Sequence, residues 1–238
     1  MSKQVIKRIA TRDMKEIKDM NLEELGIYIE FNEENILQAK AIIIGPEGTP
    51  FENGIMFFDI TFPANYPFSP PKVLYYSSSR YRIHPNLYVG RSHDNFLGKV
   101  CLSILNTWSG PKWTSVMHVG SVMVSIQSLL NNNPLHNEPG FETENGLRND
   151  TYNRIVEYDT FHNLILRNCF DIPMDYKMFE DKIKEHLLKQ KDNILSKIKN
   201  LRESHPNKIK TSLNIYNLNL IIDYPRIEGQ IRCKINLI

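Results

Sequence analysis

Residues 55–76 read IMFFDITFPANYPFSPPKVLYY. Two runs rich in β-branched and aromatic residues, at 55–62 and 72–76, flank a segment in which prolines recur. Because proline lacks a backbone donor and holds the chain in extended or turn conformations, residues 62–71 cannot form a regular helix or strand. The stretch therefore predicts two strands joined by an irregular connection.

Strand patterns also precede this stretch, at 27–31 and 36–44. Turn-forming residues separate the four runs at 32–35 and at 45–50. Because parallel strands need long crossovers, connections this short favour an antiparallel meander. We expect an α+β fold with an N-terminal helix, a four-stranded antiparallel meander, an active-site loop, and helices packed on one face.

Helical periodicity predicts an amphipathic helix over 3–20 and a second helix over 115–130, capped near Thr114 and Ser115. Two more helices are predicted at about 150–169 and 174–202. Residues 77–115 form a long loop, and such loops are usually functional. Alternating residues from Leu213 onward, around Asp223-Tyr224-Pro225, predict a small terminal hairpin.

The composition of the 238-residue chain, 41% hydrophobic and 24% charged, is typical of a soluble globular protein. A net charge of +2 gives no argument for a nucleic-acid partner. We expect no membrane association, since no apolar run reaches the roughly 20 residues of a membrane span and no signal peptide is evident. Three scattered cysteines predict free thiols in a reducing compartment, the cytoplasm or also the nucleus.

Cys101 is the strongest candidate for chemistry. It follows Gly98-Lys99-Val100, and the turn His84-Pro85-Asn86 lies upstream. A cysteine thiolate is a good nucleophile, and a nearby amide such as that of Asn86 can stabilise the charge on an acyl intermediate.

The sequence resembles the ubiquitin-conjugating enzymes over roughly residues 5–165. The matching residues include Gly45-Pro46, Phe62-Pro63, Tyr66-Pro67-Phe68, His84-Pro85-Asn86, Gly98-Lys99-Val100-Cys101-Leu102, Trp108-Ser109 and Tyr152-Asn153. Ser103 after Cys101-Leu102, the run Thr107-Trp108-Ser109-Gly110-Pro111 and the stretch 133–142 are most similar to the larger Z-type enzymes. The resemblance implies a conjugating core at 1–170 and an extension at 171–238, comprising a helix and then a small hairpin.

The resemblance implies that Cys101 accepts ubiquitin or a ubiquitin-like modifier as a thioester and passes it to a substrate lysine. Two roles are open to Asn86: it donates to the oxyanion, or it supports the active-site loop. His84 is expected to shape the turn. On the acceptor side, where many relatives have an aspartate, His136 is either a proton acceptor or a packing residue, and Glu138 is a weaker candidate.

The expected partners are the modifier, an activating enzyme, a ligase and a protein substrate. The family's docking surfaces map onto Lys7, Arg8, Phe68, Pro111 and Lys112. Phe68 is either an exposed contact or packs against Pro70 or Pro71. No metal or organic cofactor is implied, because the activating enzyme consumes the ATP.

The spacing from Asn86 to Cys101 is longer than is usual in the family. The extra segment at about 89–96 is polar and is either an inert surface loop or a gate for the acceptor.

Three other functions compete with conjugation. A conjugating-enzyme-like binding module without activity is one, although such variants lack the cysteine. A cysteine hydrolase would pair Cys101 with His84, His93, His118 or His136, but no protease signature is present. A zinc site is the third, but the usual ligand spacings are absent.

Overall fold

The computed structural model describes residues 3–90 and 96–237. The chain divides into two compact units that interleave along the sequence. The first unit comprises Met1–Ile44, Met56–Ser77 and Asn86–Leu130, and the second comprises Gly45–Ile55, Ser78–Pro85 and Asn131–Ile238. The predicted division after residue 170 concerns the family core and its extension, and it stays a prediction.

The predicted N-terminal helix is confirmed, with a π-helical turn in its middle. Helix α1 spans Lys3–Arg8, the π-helical turn spans Ile9–Asp13 and helix α2 spans Met14–Asp19. The buried carboxylate of Asp13 accepts hydrogen bonds from the Tyr66 hydroxyl, from Arg8 Nε at 3.2 Å and from the Val119 N–H at 3.2 Å. Because a buried carboxylate needs such donors, these contacts fasten the helix to the rest of the first unit.

A five-stranded sheet, in the order β1-β2-β3-β4-β5, confirms the α+β class and the four predicted strands. The strands are β1 Ile27–Phe31, β2 Gln38–Ile44, β3 Ile55–Thr61, β4 Lys72–Tyr76 and β5 Leu97–Lys99. Strand β5 lies in the stretch predicted as loop and pairs antiparallel with β4, with Gly98 opposite Tyr75. Three residues centred on a glycine carry no recognisable strand pattern, so this strand was not predicted.

The proline-rich connection between β3 and β4 has no regular structure, as predicted. Its aromatic residues fix it instead, because Phe62 and Tyr66 are buried with their ring centroids 5.0 Å apart. The indole Nε1 of Trp113 donates to the Pro67 carbonyl at 2.7 Å. These contacts leave Phe68 as the exposed aromatic residue of the connection.

Helix α3 spans Val119–Leu129 and so begins later than the predicted 115. Thr114 and Ser115 do not cap it: the Thr114 carbonyl accepts from the Met117 N–H in a separate turn. His118, in an extended conformation, occupies the N-cap position. The capping residues in the sequence therefore mark a turn and not the first turn of the helix.

The second unit contains the two predicted later helices. Helix α4 spans Leu147–Asp159 and continues as a π-helical segment, Thr160–Ile165. A 3-10 segment, Met174–Phe179, leads into α5, Glu180–Ser204. Across residues 3–90 and 96–237, no helix is both long enough and apolar enough to span a bilayer.

The terminal hairpin lies earlier than predicted, and a helix follows it. Strands β6 Ile209–Leu213 and β7 Leu218–Ile222 pair antiparallel, and α6 spans Tyr224–Ile235. The interpretation of Asp223-Tyr224-Pro225 as a hairpin turn was wrong, because Asp223 caps α6 by accepting from the Arg226 N–H at 3.1 Å. The buried residues of α6 recur with helical spacing, at Tyr224, Ile227, Ile231 and Ile235.

The carboxyl group of Asp159 makes the stability of the second unit sensitive to pH. Burial raises its pKa from 3.8 to about 7, although hydrogen bonds from Ser79 (2.8 Å) and Asn163 (2.6 Å) oppose the shift. Since the folded state holds this proton more tightly, the stabilisation is complete below about pH 4 and is lost as the pH rises through about 7.

Asp159→Asn is expected to flatten this dependence, because the amide stays neutral at every pH. Above pH 7 the variant should be more stable than the wild type by an amount on the order of a few kcal/mol. Urea unfolding at pH 5 and pH 8 measures the difference. If the free energy of unfolding changes equally in the two proteins between pH 5 and pH 8, Asp159 does not titrate in this range.

Candidate active site

Cys101 and Asn86 are joined by reciprocal hydrogen bonds in the first unit. The Cys101 N–H donates to the Asn86 carbonyl at 2.8 Å, and the Asn86 amide Nδ2 donates to the Cys101 carbonyl at 2.7 Å. Next to them, Leu87 and Val100 form an antiparallel bridge. The turn after His84-Pro85 and the strand end before the cysteine therefore form one short ladder, which sets the position of the thiol.

Thr107, which the sequence places in a family motif without indicating a role, fixes the backbone on both sides of Cys101. Its hydroxyl accepts from the Leu102 N–H at 2.9 Å and donates to the Val100 carbonyl at 2.8 Å. A 3-10 turn, Ser103–Leu105, and the left-handed Asn106 bring the threonine back to this position. No local pattern could identify the residue, because its role depends on that fold-back.

Gly98 lets the backbone of Tyr88 approach strand β5 closely. A Cβ atom at position 98 would lie 1.6 Å from the Tyr88 carbonyl oxygen. The Tyr88 N–H also donates to the Lys99 carbonyl at 3.0 Å. The glycine three residues before Cys101 is therefore a steric requirement of the ladder.

Gly98→Ala is expected to displace this ladder and to lower stability by roughly 1–3 kcal/mol, as other overpacked sites do. Gly229→Ala is the matched control, because a Cβ there meets nothing within 4 Å and the position lies in helix α6. Gly229→Ala should raise the free energy of unfolding by about 0.4–1 kcal/mol. Urea unfolding of both variants checks the pair, and equal effects would contradict the steric argument.

The three thiols differ in their surroundings. All are free; Cys101 and Cys169 are buried and Cys233 is exposed. Burial raises the pKa of the Cys169 thiol, which disfavours its thiolate. The Cys101 residue is only 2% exposed, so reaction with a large partner requires it to become more accessible than it is in this structure.

The acceptor-side candidates lie in the second unit. His136 sits on a 3-10 turn, Pro134–Asn137, and its Nε2 lies 2.7 Å from the Glu144 carbonyl oxygen. Because a carbonyl only accepts, Nε2 carries the proton and Nδ1 holds the lone pair of the neutral ring. Glu138 accepts from the Tyr216 hydroxyl and lies 4.0 Å from the guanidinium of Arg82, so its carboxylate is already engaged.

His84 is buried against Phe51, with 5.8 Å between ring centroids, which agrees with a shaping role.

Comparison with known proteins identifies the family. The family model described as "Ubiquitin-conjugating enzyme" matches residues 12–159. The chain belongs to the ubiquitin-conjugating enzyme family. Its relatives include the Caenorhabditis elegans protein named "Probable ubiquitin-conjugating enzyme protein 17", 39% identical over 180 residues, and the human "Ubiquitin-conjugating enzyme E2 Z", 38% identical over 138 residues. The predicted resemblance to Z-type conjugating enzymes is confirmed.

These matches cover the two chains unequally. They include 71% of this chain and 24% of the worm protein, and 57% of this chain and 37% of the human protein. The chain therefore spans well under half the length of these relatives. The solved E2 domain of a Toxoplasma gondii ubiquitin-conjugating enzyme aligns at 27% identity and a TM-score of 0.47, covering 64% of this chain and 97% of that chain.

The residues that match the docking surfaces of ubiquitin-conjugating enzymes differ in their exposure to solvent. Lys7, Pro111 and Lys112 are exposed, and Phe68 is 79% exposed, which disfavours packing against the neighbouring prolines. The Arg8 side chain is only 12% exposed, and its guanidinium donates to Asp13 and to the Met117 carbonyl. Arg8 thus has a role within the fold.

Part of the predicted insertion of this family member, at about 89–96, lies outside the described residues, namely 91–95, and includes His93. At its far end, Phe96 returns to strand β4, where its carbonyl accepts from the Ser77 N–H at 2.9 Å. The ring of Phe96 lies 5.4 Å from that of Tyr76. The role of the insertion stays a prediction.

Two observations concern the competing hydrolase and zinc-site functions. The Nδ1 atom of His118, the hydrolase candidate in the same unit as Cys101, has no hydrogen-bond partner within the described chain. Residues 3–90 and 96–237 also contain no group of three or more histidine, cysteine or acidic residues that could hold a metal ion.

Proposed function

We propose that this chain is an active ubiquitin-conjugating enzyme. It accepts ubiquitin or a ubiquitin-like modifier from an activating enzyme as a thioester on Cys101, and transfers it to a substrate lysine with the help of a ligase. The observation that carries the proposal is the reciprocal hydrogen bonding between Cys101 and Asn86, at 2.8 Å and 2.7 Å. Membership of the family supplies the class of reaction.

In the charging step, the Cys101 thiolate attacks the thioester that joins the modifier to the activating enzyme. A new bond forms between Sγ and the acyl carbon, and the thiolate of the activating enzyme leaves. In the transfer step, a neutral lysine amine attacks the new thioester and loses a proton. The C–N bond forms, and Cys101 departs as the thiolate.

Asn86 supports the loop in this proposal. Its amide donates to the Cys101 carbonyl at 2.7 Å, inside a buried turn, and so fixes the backbone that carries the nucleophile. Donation to the oxyanion, the other role open to Asn86, stays a prediction.

His136 is the proposed proton acceptor for the attacking amine. The bond from Nε2 to the Glu144 carbonyl orients the ring and leaves the Nδ1 lone pair for the proton. Glu138 is less suited to this role, since its carboxylate already accepts from Tyr216. An imidazole in this tautomer can act as a general base.

The activating enzyme and the ligase are proposed to dock on Lys7, Phe68, Pro111 and Lys112, with Phe68 as the main apolar contact.

The free thiols are in keeping with a reducing compartment, so we place the protein in the cytoplasm or the nucleus. The chain itself needs no cofactor, because the activating enzyme spends the ATP.

The test is a charging panel that combines several activating enzymes and modifiers with ATP, analysed on gels with and without reductant. We expect at least one modifier to form an adduct that the reductant removes. An inactive binding module, the alternative within the family, would bind partners but form no adduct with any modifier. That result would overturn the proposed function.

A further inference from the structure

A tyrosine of the terminal hairpin lies at the centre of a cluster that reaches the acceptor-side turn. Tyr216 occupies the connection between β6 and β7, and both it and Asn217 have left-handed backbone conformations, with φ of 55° and 52°. This conformation is unfavourable for a tyrosine. It places the tyrosine in contact with residues far away in the sequence.

The cluster consists of an aromatic ring, a cation and a carboxylate. The Tyr216 hydroxyl donates to Glu138, and the guanidinium carbon of Arg82 lies 4.3 Å from the centroid of the Tyr216 ring. Arg82 also lies 4.0 Å from Glu138, and their side chains are only 17% and 26% exposed. On its other side, Tyr216 packs edge-on against the buried Tyr152, at 6.3 Å. Partial burial strengthens both the charged hydrogen bond and the cation–π contact.

Both charged members of the cluster lie close in sequence to residues of the predicted site. Glu138 directly follows the 3-10 turn that carries His136, and the two residues are two positions apart. Arg82 precedes His84 by two residues, and it also donates to the Pro85 carbonyl. A second link joins the same hairpin to this segment, since the Tyr81 hydroxyl donates to the Asn219 carbonyl at 3.0 Å.

We propose that Tyr216 is a positioning residue for the transfer step, and this rests on the proposed function. By holding Glu138 against Arg82, it fixes the end of the turn that bears His136, so that the imidazole meets the incoming amine in one orientation. The terminal hairpin thereby contributes to acceptor activation. The charging step does not use His136 and does not depend on this contact.

The test separates charging from transfer. Wild type and Tyr216→Phe are charged with the modifier, the activating enzyme is then stopped, and the loss of thioester is followed over a range of free lysine concentrations. Phenylalanine keeps the ring under Arg82 and removes only the hydroxyl. We expect the charging rate to stay unchanged, the melting temperature to fall by only a few degrees, and the lysine-dependent discharge to slow about tenfold, because a hydrogen bond to a charged group is lost.

Two further variants make the result specific. Tyr81→Phe also removes a hydroxyl bond between this segment and the hairpin, but it does not touch Glu138, so its discharge rate should match the wild type. Glu138→Ala should slow discharge, and adding Tyr216→Phe to it should cause little further loss, because the hydroxyl then has no carboxylate to donate to.

The outcomes are distinguishable from failure of the proposed function. If the wild type does not charge with any modifier, the proposed function itself fails. If it charges and Tyr216→Phe discharges at the wild-type rate, the positioning role alone is wrong. An equal loss in charging and discharge, or in Tyr81→Phe, would indicate a general structural role and would also overturn the inference.

Discussion

Cys101→Ala is expected to abolish the modifier thioester completely, while charging of the wild type continues under the same conditions. The side chain supplies the only atom that forms the covalent bond in the proposed reaction, so no residual adduct should remain. Neither of the other thiols can replace it. Burial raises the pKa of the Cys169 thiol, and Cys233 lies on helix α6 without the ladder that positions Cys101.

Cys101→Ser provides a positive form of the same test. An oxygen nucleophile at this position should form an ester, more slowly, and that ester should survive a reductant that removes the wild-type thioester. Cys233→Ser is the control for an exposed thiol and should charge normally. Persistence of a reductant-labile adduct in Cys101→Ala would assign the chemistry to another cysteine.

Asn86→Ala is expected to have the second largest effect. The change removes the donor of the 2.7 Å bond to the Cys101 carbonyl, which then lies buried without it. Loss of such a bond costs about 1–3 kcal/mol of stability. If the same amide also serves the tetrahedral intermediate, discharge to lysine should slow by about 10²–10³-fold.

Two measurements divide the contributions of Asn86. Lysine discharge of pre-charged protein reports on the transition state, whereas urea unfolding and hydrogen exchange at the Cys101 amide report on the loop. Loop support predicts lower stability and faster exchange together with slower discharge. Slow discharge in a fully stable, fully protected variant would mean that Asn86 acts on the oxyanion alone. Unchanged discharge would remove Asn86 from the mechanism.

The secondary structure was predictable where one short pattern decided it. The four longer strands and the N-terminal helix have clear apolar periodicity, and all are confirmed. Strand β5 is three residues long and exists because Gly98 permits the approach of Tyr88, which no local pattern encodes. Helix α6 was missed because Asp223-Tyr224-Pro225 suits both a turn and a helix start. The spacing of Ile227, Ile231 and Ile235 was the signal that distinguishes them.

The residues of the candidate site were likewise predictable only where a local motif contains them. Cys101, Asn86 and the turn before them were identifiable because they belong to contiguous motifs of a known family. The roles of Thr107 and Tyr216 were not identifiable, since Thr107 acts by folding back on the backbone and Tyr216 through residues far away in the sequence. Arg8 was predicted to lie on a docking surface, but in the structure it pairs with the buried Asp13. The sequence alone does not show whether a charged residue is exposed or paired inside the fold.

The most direct test of the central claim is to locate the modifier on the wild-type chain. The protein is charged with activating enzyme, ATP and modifier, quenched in acid without reductant, digested and mapped by mass spectrometry. We expect the C-terminal acyl group of the modifier on the peptide that contains Cys101, and we expect reductant to release it. An adduct on Cys169, on Cys233 or on a lysine, with Cys101 unmodified, would contradict it.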